Sequence, residues 1–173
     1  MAKLIPGCTF PAIDLPKLGG GRLTNADFTA PYMTILNVYR GLHCPRCRRQ
    51  MENFTIFKAA MEKEGLEVIS ISTDPEDRAA QTAADWDIGD MTIGYDLSID
   101  QARALGMFIS EAIREGEKDF FAEAGLFMIR ADGTLWGSSI NSFPFMRPTA
   151  EMILDAVNTA KERNYPPRGN VAA

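Results

Sequence analysis

Cys44 and Cys47, two of the three cysteines in this 173-residue chain, are separated by only two residues. A Cys-x-x-Cys pair can bind a metal, form a structural disulfide, attack a peroxide, or exchange disulfides with another molecule. The surrounding segment, YRGLHCPRCRRQ from Tyr39 to Gln50, also contains four arginines, whose positive charge favours thiolates. These alternatives can be distinguished by counting the other residues that could bind a metal and by identifying the secondary-structure elements that position the two cysteines.

Too few additional ligands are present for a metal site. A structural zinc ion takes four ligands, usually supplied as two pairs. Besides Cys44 and Cys47 the chain offers only Cys8 and its single histidine, His43, which adjoins Cys44 and is poorly placed to share one ion with both cysteines. Covalent haem attachment requires a histidine directly after the second cysteine, where this chain has Arg48. We therefore expect no metal and no cofactor.

The flanking elements place the pair at the start of a helix. Residues 33–39, MTILNVY, are apolar and partly β-branched, which predicts a buried strand. Apolar residues at steps of three and four then predict a helix over residues 45–64, with Pro45 in its first turn. This turn from strand to helix lies at the edge where open α/β sheets usually carry their active sites.

Cys44 is the predicted nucleophile of the pair. The N-terminus of the helix and the cations of Arg40 and Arg46 favour its thiolate over its thiol. Cys47, one turn into the helix, is placed to attack a mixed disulfide on Cys44 and release the product. His43 is a candidate for tuning the pKa of Cys44 or donating a proton, or for merely shielding the site. Redox chemistry is therefore favoured over a pair of inert buried thiols.

Three further features carry weaker expectations. Cys8 is expected to be a small buried apolar residue, with a regulatory disulfide as the less favoured alternative. Phe120 and Phe121 are expected in the core; if exposed, they would form a docking surface or part of a dimer interface. Arg48 and Arg49 are expected on a solvated helix face, with recognition of an acidic partner as the alternative.

The order of the predicted elements indicates an α/β protein. Parallel strand–helix crossovers completed by an antiparallel pair outline a thioredoxin-like three-layer sandwich with a central mixed sheet. After the first strand and helix the predicted elements are a strand over 66–72, a helix from an Asp74 cap to Trp86, a strand over 92–95, a helix over 99–105, a hairpin of 126–129 and 134–140, and a helix over 149–163.

Composition and charge restrict the partners. The formal net charge is -5, and no large basic block occurs outside the arginines near Cys47, so nucleic-acid binding is not expected. The N-terminal residues MAKLIPGCTFPAIDL resemble neither a signal peptide nor a membrane span. If residue 1 is the native start, the protein is predicted to be cytoplasmic and not membrane-bound.

The segment VYRGLHCPRCRRQ resembles the peroxiredoxin-like branch of the AhpC/TSA redoxins, which carry an apolar strand, Tyr-Arg-Gly and Cys-Pro-x-Cys. Other stretches are similar to the same family in the right order, so the resemblance covers nearly the whole chain. It implies a single redoxin domain over residues 1–173, with 164–173 as an extended tail. The similar stretches are residues 7–15, 94–97, 104–106, 125–135, 145–148 and 165–169.

Two positions depart from true peroxiredoxins. Those proteins carry Pro-x-x-x-Thr-x-x-Cys before the peroxide-attacking cysteine, where this chain has Asn37 and Gly41 for Pro and Thr. Their conserved arginine before the hairpin corresponds here to Ala124. Because Thr and Arg orient and polarise the O–O bond, their loss weighs against fast peroxide turnover. The cis-proline of thioredoxins has no obvious match either.

The resemblance therefore implies a thiol–disulfide oxidoreductase that cycles Cys44 and Cys47 between dithiol and disulfide. A hydroperoxide-reducing, antioxidant enzyme is the first alternative, and a redox-sensing or partner-binding protein without turnover is the second. The implied partners are a thiol reductant of the thioredoxin or glutathione type and a disulfide or hydroperoxide substrate. A homodimer is a further candidate assembly.

Overall fold

A mixed five-stranded sheet with helices on both faces forms the centre of the molecule. The computed structural model describes residues 4–171. The strands are β1 (Asp14–Pro16), β2 (Arg22–Thr24), β3 (Met33–Val38), β4 (Leu66–Ile71), β5 (Thr92–Gly94), β6 (Ile109–Glu111), β7 (Phe120–Ala122), β8 (Gly125–Arg130) and β9 (Leu135–Ile140). The helices are α1 (Pro45–Ile56), α2 (Lys58–Lys63), α3 (Glu76–Asp85), α4 (Ile99–Ala104) and α5 (Ala150–Glu162).

The central sheet has the strand order β5-β4-β3-β8-β9. Strand β3 pairs in parallel with β4, and β4 pairs in parallel with β5. Strands β8 and β9 complete the sheet as the predicted antiparallel hairpin. Strand β3 therefore has a neighbour on both sides, and the chain leaves its carboxyl end directly into the Cys44 turn.

Side-chain alternation along β3 builds a core on each face of the sheet. Met33 and Ile35 pack with α1, α2 and α5, whereas Leu36 and Val38 pack with α4 and the N-terminal segment. All six residues of β3 are buried, which accounts for its continuous apolar sequence. A third apolar cluster joins α1 and α3 and includes Cys44 and Cys47 themselves.

The structure corrects two local predictions. The helix predicted over 45–64 is interrupted at Phe57, whose backbone (φ -95°, ψ 7°) leaves the helical region between α1 and α2. Asp74 does not cap α3, since Pro75 occupies that position without a side-chain hydrogen bond. The Asp74 side chain instead turns inward toward the Cys44 loop. The three-residue pairs β1–β2 and β6–β7 carry too little periodic pattern to be predicted.

No helix within residues 4–171 is long and apolar enough to cross a membrane. Residues 164–171 contain neither helix nor strand, and most of them are exposed. The last two residues of the predicted tail, 172 and 173, lie outside the described part of the chain, as do residues 1–3.

Candidate active site

Cys44 caps the N-terminus of α1 with its own sulfur. Its backbone is extended (φ -101°, ψ 101°), and Pro45 provides the first residue of the helix, as predicted. The Cys47 N–H donates to the Cys44 Sγ at 3.3 Å, which satisfies one of the free N–H groups of the first turn. Cys44 is only 1% exposed, so substrate must reach a sulfur that is covered in the reduced state.

The two thiols have opposite acid–base tendencies. A hydrogen bond from the Cys47 thiol, aided by the charges of Arg147 and Arg40, lowers the pKa of Cys44 to about 6. Burial raises the pKa of Cys47 well above its ordinary value. The Cys47 Sγ also accepts the Arg40 backbone N–H at 3.2 Å. At neutral pH the first sulfur is therefore a thiolate and the second a thiol, as their predicted roles require.

Arg147, which was not among the predicted site residues, lies against the nucleophile. Its Nη2 is 3.6 Å from the Cys44 Sγ and donates to the Pro144 carbonyl at 3.2 Å. Its Nε and Nη1 are buried without a hydrogen-bond partner. The residue precedes α5 and lies 103 positions from Cys44 in the sequence. The only sequence signal was its place in the Phe-Met-Arg-Pro stretch similar to the family.

Arg40 is held by two carboxylates, one between β6 and β7 and one just after β7. Its Nε is 3.0 Å from Oε2 of Glu123, an ion pair without a well-aligned hydrogen bond, and its Nη2 is 3.9 Å from Oε1 of Glu117. The guanidinium also lies 4.8 Å from the centre of the Phe121 ring. The Ser110 hydroxyl donates to the other oxygen of Glu123 at 2.6 Å. Arg40 thus belongs to a buried ionic cluster under the β6–β7 hairpin.

His43 is a neutral shielding residue in this arrangement. Burial, followed by the charge of Arg40, lowers the pKa of His43 to about 4. Its ring packs edge-on against Phe121 at 4.9 Å, and its Nε2 lies 4.0 Å from Oε1 of Glu117. A neutral imidazole supplies no positive charge to Cys44 at pH 7. The geometry favours the shielding alternative over the proton donor.

The position of the missing threonine is filled by a carboxylate. Gly41 has a φ of +135°, and a Cβ built there would lie 2.8 Å from both carboxylate oxygens of Asp74. Asp74 is fully buried, accepts the Leu42 N–H at 2.7 Å and pairs with Arg78 Nε at 3.0 Å. Both the backbone conformation and the space therefore exclude threonine at position 41. Asp74 instead fixes the loop that carries the nucleophile.

The position of the missing arginine is also unavailable to a long side chain. Ala124 is buried, 4% exposed, between Glu123 and the first residue of β8. A Cβ on the next residue, Gly125, would lie 2.5 Å from the Met107 methyl carbon, so this stretch is closely packed. The arginine that contacts the nucleophile, Arg147, comes from the segment before α5 instead.

The remaining arginines named in the sequence analysis lie at the surface. Arg46 is exposed and places its guanidinium 5.8 Å from the centre of the Phe145 ring. Arg48 and Arg49 are exposed, as expected, and Arg48 pairs with Glu52 at 2.7 Å.

Phe121 is buried as expected, whereas Phe120 is 51% exposed. The prediction of a buried Cys8 is wrong: the residue is exposed in a turn after Gly7. Its carbonyl accepts the Leu135 N–H at 2.9 Å while its side chain faces solvent.

Within residues 4–171, no group of three or more His, Cys, Asp or Glu side chains is arranged to hold a metal ion. The same residues contain no cis peptide bond, so the backbone before β8 differs there from the cis-proline loop of thioredoxins.

Solved structures similar to this chain share its fold at low identity. Prx3 from Vibrio vulnificus, in the complex of its reduced form with hydrogen peroxide, has a TM-score of 0.77 at 15% identity over 91% of this chain and 98% of its own. A cysteine-to-serine mutant of peroxiredoxin 6 from Arenicola marina has a TM-score of 0.74 at 18% identity, over 94% and 76%. A putative thiol:disulfide interchange protein DsbE from Chlorobium tepidum has a TM-score of 0.67 at 18% identity, over 91% and 98%.

These likenesses confirm the thioredoxin-like sandwich with its central mixed sheet. No curated protein matches the chain significantly. The sequence pattern of the AhpC/TSA family matches residues 6–136, a range that includes the Cys-Pro-x-Cys segment and ends before Arg147. With most of its length matched and its fold shared by peroxiredoxins, the chain belongs to the AhpC/TSA family.

Proposed function

We propose that the protein is a thiol–disulfide oxidoreductase that cycles Cys44 and Cys47 between dithiol and disulfide. Redoxins of its family are generally oxidoreductases. The single observation that supports thiol–disulfide exchange in particular is the opposite shift in pKa of Cys44 and Cys47 at the start of α1. The pKa of Cys44 is lowered to about 6, chiefly by the hydrogen bond from the Cys47 thiol. A thiolate nucleophile with a protonated partner beside it is the state from which disulfide exchange begins.

The steps of the exchange follow from this geometry. The Cys44 thiolate attacks one sulfur of a disulfide RS–SR, forming a mixed disulfide and expelling RS⁻. Cys47 then loses its proton and attacks the Cys44 sulfur, which forms the Cys44–Cys47 disulfide and expels the second RS⁻. Two electrons pass from the protein to the substrate, and an external thiol reductant restores the dithiol. Asp74, which accepts the Leu42 N–H at 2.7 Å, holds the loop that carries Cys44.

Hydroperoxide reduction is the second candidate, and Arg147 is the observation that favours it. The thiolate would attack the terminal oxygen, giving a sulfenic acid and an alcohol or water; Cys47 would then displace water to form the same disulfide. Two buried N–H groups of Arg147 lack partners and could stabilise the departing oxygen. Gly41 and Ala124, however, supply neither of the groups with which peroxiredoxins polarise the O–O bond.

A matched set of variants tests the proposal. Because Cys8 is an exposed thiol, it is replaced by serine in every protein of the set, including the one otherwise wild type. The reduced protein, Cys44→Ser and Cys47→Ser are mixed separately with 2-hydroxyethyl disulfide and with hydrogen peroxide, then acid-quenched and weighed by intact-mass spectrometry. We expect wild type to form the intramolecular disulfide with the organic disulfide, Cys47→Ser to stop at the mixed disulfide, and Cys44→Ser to be inert. Oxidation of Cys44→Ser at the wild-type rate would show that the nucleophile is misassigned.

The same experiment separates the alternatives. A rate with hydrogen peroxide far above that of a free thiol would make peroxide the substrate instead. A stable Cys44–Cys47 disulfide that no thioredoxin- or glutathione-type reductant turns over would identify a redox sensor without catalysis. A cytoplasmic location, where such reductants keep thiols reduced, stays part of this proposal.

A further inference from the structure

A cleft of about 230 Å³ lies between α1 and the segment that leads into α5. Residues 46, 49, 50 and 53 share one face of α1 through their spacing of three and four, and that face lines the cleft. Arg147, Pro148 and Thr149 line the opposite wall, with Phe145 at its rim. Since Arg147 also touches the Cys44 sulfur, one guanidinium joins the cleft to the nucleophile.

The cleft carries positive charge that the described residues do not neutralise. Three of its lining residues are arginines, and none of the three forms an ion pair within residues 4–171. Arg40 and Arg48, their neighbours in sequence, are paired with Glu123 and Glu52. The concentration of unpaired cations is local, because the chain as a whole has a net charge of -5.

Two residues that line the cleft also carry buried polar atoms without partners. Arg147 keeps its Nε and Nη1 unpaired, and Gln50, 8% exposed, keeps its Oε1 unpaired while its Nε2 donates to Pro148 O at 3.0 Å. Leaving such groups without a partner is costly, so they are usually satisfied by water or by a ligand. The two unpaired Arg147 nitrogens are donors and suit an anion, whereas the acceptor Gln50 Oε1 is left to water or to a donor group of the ligand.

We propose that this cleft binds the carboxylate of a low-molecular-weight disulfide, which is thereby presented to Cys44; the inference rests on the proposed exchange function. Carboxylates are the natural partners of guanidinium groups because both are planar and form two parallel hydrogen bonds. The covered nucleophile favours a small substrate over the surface of a folded protein. The carboxylate binds the arginines, Cys44 attacks the nearer sulfur, and Cys47 releases the second thiol.

The test compares three aliphatic disulfides of similar size and different charge. They are 3,3′-dithiodipropionate, neutral 2-hydroxyethyl disulfide and cationic cystamine, each mixed with reduced wild type, Arg49→Gln and Arg48→Gln at fixed pH and ionic strength. All three proteins also carry Cys8→Ser, which removes the exposed thiol. Wild type should react with the dicarboxylate at least about tenfold faster than with the neutral compound, since two short ion pairs supply that much. Arg49→Gln should lose most of this preference, measured as the ratio of its rates with the dicarboxylate and the neutral disulfide.

Arg48→Gln is the matched control, because it removes the same charge from the same helix outside the cleft. It should retain the wild-type preference. An equal loss of the preference in both variants would show that the dicarboxylate is attracted by the overall positive charge of the helix and not by the cleft. The proposal would then be wrong. A preference shown only by disulfide-linked acidic peptides would assign the cleft to a protein segment and would equally overturn it.

Equilibrium binding keeps the inference separate from the exchange function. The thioether 3,3′-thiodipropionate has both carboxylates and no disulfide, so its binding can be followed by NMR titration whether or not the protein turns over. It should bind wild type and Arg48→Gln equally and Arg49→Gln several-fold more weakly. If wild type reduces the neutral disulfide but fails to bind the thioether, the inference fails while the proposed function stands. Binding without any exchange would reject the function alone.

Discussion

Arg40 and Arg147 both contribute positive charge to Cys44, yet they have different surroundings. Arg40, four positions before the nucleophile, is 12% exposed at its side chain and is held by Glu123 and Glu117. Arg147, more than a hundred positions away, keeps two N–H groups free and touches the sulfur. An arginine that is not paired with a carboxylate is therefore the one available to act on the Cys44 sulfur. Closeness to Cys44 in the sequence does not show which arginine that is.

The largest effect is expected from Arg40→Gln, and it should be on stability. The substitution leaves Glu123 buried, with 6% of its side chain exposed, and without its cation. Breaking a buried pair on one side costs about 3–5 kcal/mol in the free energy of unfolding. Urea denaturation of the reduced protein measures the loss, and the double variant Arg40→Gln/Glu123→Gln should recover part of it. A loss below about 1 kcal/mol would mean that the cluster is not the structural support described here.

The next effect is expected from restoring the peroxiredoxin threonine with Gly41→Thr. The new Cβ would lie 2.8 Å from the Asp74 oxygens at a φ of +135°, so backbone strain and crowding should together cost about 2–4 kcal/mol. Peroxide reactivity should not rise, because crowding against Asp74 displaces the loop and with it the new threonine hydroxyl. Urea denaturation and peroxide-dependent thiol loss check both parts, with Gly137→Thr, at an unobstructed position, as the control for a threonine alone. A stable and faster variant would contradict the account of Asp74.

Arg147→Gln should act on reactivity. In a Cys8→Ser background, which removes the exposed thiol, alkylation by iodoacetamide should follow a thiolate titration with a midpoint near pH 6, slowing about tenfold for each pH unit below it. Removing the Arg147 cation destabilises the thiolate, so the midpoint should move upward by about one unit, which slows alkylation at pH 6 several-fold. Arg48→Gln, which lies outside the site, should leave the profile unchanged. A profile that does not move would assign the lowered pKa of Cys44 to Cys47, the helix and Arg40, without Arg147.

The smallest effect is expected from His43→Gln. Burial lowers the pKa of the imidazole to about 4, so the group is neutral over the range in which Cys44 titrates. Alkylation at pH 7 should change by less than about threefold, since no charge is removed. Stopped-flow measurement from pH 5 to pH 8 is sufficient to detect a change. A tenfold loss, or the disappearance of one ionisation from the profile, would restore His43 as a proton donor.

Features carried by short segments could be predicted from the sequence. The apolar run of β3, Pro45 at the helix start and the two-residue spacing of Cys44 and Cys47 are local, and they placed the pair correctly at the N-terminus of α1. The alternation of crossovers and the Asp132-Gly133 hairpin were enough for the fold class, whereas the strand order β5-β4-β3-β8-β9 was not predicted. The break at Phe57 and the exposure of Cys8 were missed, because neither changes the apolar periodicity from which helices and burial are predicted.

What the sequence alone determined is the fold and the position of the cysteine pair at the start of α1, since both depend on periodicity and on neighbouring residues. The tertiary structure decided the electrostatics. It brought Arg147 to the Cys44 sulfur, turned Asp74 from an expected helix cap into the support of the Cys44 loop, and paired Arg40 with Glu123. Coulomb interactions and hydrogen bonds depend on distances through space, and those distances exist only once β3, β8 and α5 have packed together.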